Sequence, residues 1–153
     1  MKKLSYLLSL LFLMTLTVFT SCKDDEGDNP PAPTAQETKA KQLAGTWTVT
    51  NVTRPGVTGN VIEDGQTVTL TFTEDGTYSA TNTDVMPGET PAFPSGTTWA
   101  WPNTTSTNSI VITPGNVNFN ALNVTDNSLT FTYTTQDAKS QGADVNVTVT
   151  ATK

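Results

Sequence analysis

From Thr67 to Thr73 the chain reads Thr-Val-Thr-Leu-Thr-Phe-Thr, an unbroken alternation of threonine with an apolar residue. The same beat returns as Leu129, Phe131 and Tyr133 set against Thr130, Thr132 and Thr134, and as Val145, Val147 and Val149 set against Asn146, Thr148 and Thr150. Successive side chains of a strand point to opposite faces, whereas a helix repeats every 3.6 residues or so; the pattern therefore selects strands. With one face apolar and the other polar, the sheet it predicts is antiparallel and buried on a single side. Threonine suits the wet face, because its branched carbon favours the strand and its hydroxyl tolerates water. Turn residues punctuate the runs at Glu63-Asp64-Gly65, Glu74-Asp75-Gly76, Pro114-Gly115-Asn116 and Asp126-Asn127-Ser128. The spacing predicts about eight strands, near 46–53, 67–73, 77–82, 97–101, 108–112, 117–124, 128–135 and 144–151. The expected fold is all-β, an antiparallel meander closed or nearly closed into a barrel. A short helical lead-in over Ala35 to Leu43, with Thr34 as its cap, precedes it. Closure requires the first and last strands to pair, which would make the neighbourhoods of Trp47 and Val147 adjacent.

Ahead of the barrel the chain is of a different kind. Lys2 and Lys3 precede an apolar stretch from Leu4 to Phe19 that ends at Ser21 and the only cysteine, Cys22. The stretch is shorter than the roughly 20 apolar residues of a membrane span, and it has the charged start and small-residue end of an export signal. A cysteine at this point is chemically apt, since its thiolate can be alkylated to a stable thioether with diacylglycerol. Two acyl chains anchor a protein where one holds it only marginally. Beyond Cys22 an acidic run passes into Asn29-Pro30-Pro31-Ala32-Pro33, with no apolar residue to nucleate a core, which reads as an extended tether. The expected organisation is a signal peptide over 1–21, the lipidated cysteine and tether over 22–38, and the barrel domain over 39–153. The site resembles the looser lipobox of the Bacteroidota. Lys23, Asp24, Asp25 and Glu26 resemble the signal that sends lipoproteins of that phylum to the outer face of the outer membrane. That resemblance implies a surface-exposed, lipid-anchored protein.

Charge and side-chain chemistry exclude several functions. The chain has 8 basic and 14 acidic residues, for a net charge of −6, and loss of the leader with Lys2 and Lys3 makes it more acidic still. Nucleic acid and anionic lipid both call for clustered Lys and Arg, so neither is an expected electrostatic partner. There is no histidine. The commonest general base, the usual zinc ligand and every histidine-based nucleophile relay are thereby missing, and with Cys22 lipidated no thiol is left for a disulfide or a metal. No cofactor and no enzymatic activity are expected. The pairs Glu63/Asp64 and Glu74/Asp75 each precede glycine, which is ordinary hairpin chemistry rather than a catalytic or calcium-binding arrangement.

Gly45-Thr46-Trp47, following the helical lead-in and opening the first strand, resembles the Gly-x-Trp of the lipocalin fold. Together with the strand-turn-strand from Thr69 to Tyr78, it gives the chain the look of the lipocalin-like lipoproteins of the Bacteroidota. The resemblance implies that Trp47 packs across the closed end of the barrel as a structural plug. Two features depart from the family's pattern: Thr125-Asp126-Asn127 matches its second motif only in part, and no arginine follows the last strand to stack on Trp47.

The remaining unusual segment is Asp84 to Asn103, rich in proline and aromatic residues. Phe93, Trp99 and Trp101 are candidate ligand or partner contacts, because tryptophan stacks on sugar rings and apolar ligands and loops carry binding functions. The competing expectation is that Trp99 and Trp101, two residues apart, share one strand face and fill the core. The functional expectation is a non-enzymatic, lipid-anchored domain that binds a small apolar ligand or a glycan in or near the barrel, with Trp47, Phe131, Val145, Val147 and Val149 lining the interior. The alternative is a structural or protein-interaction module, an inhibitor included, with a filled core and an envelope protein as partner.

Overall fold

The computed structural model describes residues 31–62, 65–81, 93, 96–136 and 144–153. Cys22, the acidic residues after it, Glu63, Asp64 and most of the proline-rich segment lie outside the described residues. A compact unit runs from Pro33 to Lys153. Its first element is the helix α1 (Ala35–Leu43), begun by a capping box in which Glu37 N–H donates to Thr34 Oγ1 at 3.2 Å and Thr34 N–H to Glu37 Oε2 at 2.6 Å. Residues 33–38, which the sequence reading set apart from the barrel domain, therefore belong with the folded unit.

Eight strands follow: β1 (Gly45–Thr53), β2 (Thr69–Phe72), β3 (Tyr78–Thr81), β4 (Thr98–Ala100), β5 (Ile110–Thr113), β6 (Val117–Val124), β7 (Ser128–Gln136) and β8 (Asp144–Thr152). Every pairing is antiparallel, and the order is β3-β2-β1-β8-β7-β6-β5-β4. The first and last strands do pair. Val52 faces Val149 and Val49 faces Ala151, so the register sets Trp47 beside Lys153, while Val147 lies opposite Tyr133 on β7. The two outermost strands of the order, β3 and β4, then meet through a bridge between Thr77 and Thr98, with Tyr78 N–H donating to Thr97 O at 3.0 Å and Trp99 N–H to Gly76 O at 2.7 Å. The result is an all-β, nearly closed barrel with one short helix.

Two glycines let that last seam form. Gly76 sits at φ +92°, and a Cβ there would stand 2.9 Å from the Trp99 carbonyl oxygen, so the turn and the seam both need a residue without a side chain. At Gly96 a Cβ would come within 2.2 Å of Ile112 Cγ2, which is closer than any carbon pair tolerates.

Two strands break their alternation. In β1 the buried positions are Trp47, Val49 and then Val52, with the pairing to β8 shifting between Val49 and Asn51. In β6 they are Phe119, Leu122 and Val124, and Ala121 at φ +50° falls within the shift between Asn120 and Asn123. Each shift is a bulge that inserts a residue, bends the strand and moves its apolar set onto the opposite parity.

The core is continuous and aromatic. Phe119 stacks on Phe131 at 4.1 Å between ring centroids and meets Tyr78 edge-on at 6.0 Å. Since Tyr78 is on β3 and Phe119 on β6, these rings bridge opposite walls of the barrel. Phe72 joins Tyr78 at 5.1 Å and Trp99 at 6.5 Å, which carries the ring contacts on to Trp101. Of the residues expected to line the interior, Trp47, Phe131, Val147 and Val149 are buried and Val145 is half-buried. Among the described residues no charged side chain is buried.

Candidate functional site

Helix α1 lies across the barrel end where β1 begins and β6 and β8 finish. Its Leu43 and Ala40 enter the core, Lys39 Nζ donates to Val124 O at 3.1 Å, and Gln36 Nε2 donates to Asn103 O and Ser106 O, both at 2.7 Å. Trp47 is fully buried beneath the helix, and its indole N–H donates to Leu43 O at 2.7 Å. Lys153 lies over that ring, Nζ 4.3 Å from the centroid, and donates to Gln42 O at 2.9 Å and Ala44 O at 2.7 Å. The cation over this ring is a lysine. It satisfies carbonyls at the helix C-terminus, where a positive charge is favourable, and gains a cation–π contact.

Beside the helix, at the same end, an open groove of about 430 Å³ runs between the first turns of α1, the β2–β3 turn and the end of β4. Thr34, Gln36, Glu37 and Ala40 form one wall, Glu74, Asp75 and Gly76 another, and Trp99, Ala100 and Trp101 the third. Trp99 is 5 % exposed and its indole N–H donates to Thr73 O at 3.0 Å, which fixes the ring. Trp101 is half-buried and stands perpendicular to Trp99 at 5.4 Å. Trp99 is therefore a core residue, and Trp101 packs against the core while lining the groove.

The acidic residues are held by local bonds. Asp75 Oδ1 accepts from Thr77 N–H at 3.3 Å, from the Thr77 hydroxyl at 3.2 Å and from the Thr73 hydroxyl. These bonds, the Thr73 hydroxyl's first, keep its carboxyl below the usual range. The capping bond from Thr34 does the same for Glu37. Both acids are charged at neutral pH.

The candidate contacts do not form one patch. Phe93 is 3 % exposed and packs against the Tyr133 ring at 6.1 Å, so it is a core residue and not a surface contact. Gln36, Glu37, Glu74 and Asp75 join Trp99 and Trp101 instead. In the sequence, Thr34 reads as a helix cap and Glu74-Asp75-Gly76 as a turn; only the tertiary packing of the barrel end brings these segments to the tryptophans.

Tyr78 OH and Thr135 Oγ1 are buried without a hydrogen-bond partner among the described residues. Burial pushes the Tyr78 and Tyr133 phenols well up, so both remain neutral donors. Among the described residues no group of histidine, cysteine and acidic side chains is placed to hold a metal ion.

Comparison with known proteins gives no match, whether to a protein-family model, to a curated protein or to a solved structure.

Proposed function

We propose that this chain is a lipoprotein of the cell envelope whose lipocalin-like barrel binds a glycan, without catalysis, at the groove beside α1. The observation that supports this reading is the half-buried Trp101 braced on Trp99 in a groove whose other walls present an amide, hydroxyl and carboxylates. An indole face covers the apolar face of a sugar ring, and polar side chains around it meet the hydroxyls. A ligand inside the barrel is less favoured, because rings from β3, β6 and β7 already occupy the interior where they meet. The test is titration of the full chain with a panel of soluble oligosaccharides, read by tryptophan fluorescence and calorimetry. Trp101→Ala is expected to weaken binding at least tenfold while leaving the unfolding midpoint within a few degrees. A sugar that binds the variant as tightly as the wild type sinks the reading.

Localisation is part of the same proposal: Cys22 carries the lipid, residues 1–21 are removed, and Lys23, Asp24, Asp25 and Glu26 direct the protein outward. Alanine at Asp24, Asp25 and Glu26 is expected to protect the protein from protease added to intact cells, and unchanged cleavage would count against surface export. The ring-filled interior favours a second reading, an interaction module whose partner is another envelope protein.

A further inference from the structure

We infer that the barrel opens at one joint, the seam between β3 and β4, and that the groove keeps its shape only while this joint is shut. The consequence for binding rests on the glycan reading above, whereas the opening itself does not. β7 and β8 pair along nine residues each. β3 has four residues and β4 three, and among the described residues they meet at a single bridge, Thr77 to Thr98. Two backbone bonds flank that bridge, Tyr78 N–H to Thr97 O and Trp99 N–H to Gly76 O, and the Trp99 indole adds a third bond across the seam to Thr73 O. The Phe72 ring also meets Trp99 edge-on there, but Gly76 and Gly96 bring no side chain to interlock with the opposite strand.

The free energy of a local opening follows the hydrogen bonds and packed side chains that the moving unit gives up. Here the loss is small, because each strand keeps its other partner: β3 stays on β2 through four residue pairs and β4 on β5 through three. Tyr78 tilts the balance further. Its hydroxyl is buried with no partner among the described residues, a cost that water removes once the seam parts. The groove lies over this joint, with Glu74, Asp75 and Gly76 on the β3 side and Trp99, Ala100 and Trp101 on the β4 side. Parting the strands draws those walls away from each other and frees the Trp99 indole from Thr73, so Trp101 loses its brace. A sugar that touches both walls therefore binds the shut state better and, by linkage, holds the joint shut.

The experiment is amide hydrogen exchange of the full-length protein in detergent, without sugar, read residue by residue by NMR at rising urea below the unfolding transition. The Tyr78 and Trp99 amides are expected to exchange about a hundredfold faster than those of β8 from Val147 to Thr150, which lie between two paired strands, and to respond little to urea. Val149→Ala, in the wall that stays folded, is expected to speed exchange along β8 and leave Tyr78 and Trp99 unchanged. Rates at Tyr78 and Trp99 within about threefold of β8, with the same urea dependence, overturn the inference, because the barrel then opens as one unit. So does a Val149→Ala variant in which all these amides speed up together. Since no sugar is present, either failure leaves the glycan reading to its own titration.

Discussion

Trp47→Ala is expected to lower the unfolding free energy by about 3–5 kcal/mol, the range for deleting a large aromatic side chain from a packed core. The indole is fully buried, closes the barrel end beneath α1 and donates to Leu43 O. Its removal also strips Lys153 of its ring partner and leaves the helix C-terminus tied to β8 by the two lysine hydrogen bonds alone. Since domains of this size have only about 5–15 kcal/mol of stability, the variant should show a much lower urea midpoint by far-ultraviolet circular dichroism. A loss under about 1 kcal/mol would show that the tryptophan is not the plug described here. Trp47→Phe keeps most of the volume and is expected to lose much less, chiefly the hydrogen bond at about 1 kcal/mol.

Phe119→Ala is the second change of this size, again about 3–5 kcal/mol in the same urea experiment. Phe119 touches Phe131, Tyr78 and Tyr133, and so joins β6 to both its neighbour β7 and the far wall at β3. Alanine there would open a cavity at the point where the rings cross the barrel, which the fixed backbones around it cannot collapse to fill. Phe119→Leu, which keeps an apolar side chain in place, should lose a fraction of that. If alanine cost no more than leucine, the rings would not be holding the two walls together.

Most of the fold was legible because its strands are monotonous. Where threonine and an apolar residue alternate without interruption, as in β2, β7 and β8, local sequence decides both the strand and its inward face. Thr34 likewise announces the start of α1, and the structure adds its reciprocal partner Glu37. The bulges in β1 and β6 left a fainter mark: Val49 to Val52 and Phe119 to Leu122 are three apart where alternation requires two. That slip is the signal of an inserted residue, and it was present to be read. The lysine over Trp47 was harder, since only the β1–β8 register determines which side chain of the last strand reaches the plug. The groove was not legible at all. Gln36, Glu74 and Trp101 are far apart in sequence and carry ordinary local roles, so their meeting is a property of tertiary packing. Phe93 misled for the same reason, an aromatic in a loop being free to turn inward when the core has room for it.

The pairing of β1 with β8 also governs how the barrel is made. Hairpins such as β7–β8 and β5–β6 join strands that are close in the chain and form within microseconds of one another's appearance. Closing β1 on β8 instead brings together residues about a hundred positions apart, as the Lys153 bond to Gln42 does across 111. Relative to a ten-residue loop, that closure costs roughly 2 kcal/mol more in chain entropy, and it comes before the contacts that offset it. Until then β1 and β8 each carry a row of unpaired N–H and C=O groups, threonine-rich and almost free of the charges that deter association. A folding copy of this chain is therefore most open to pairing with a second copy of itself in the interval before its first strand finds its last.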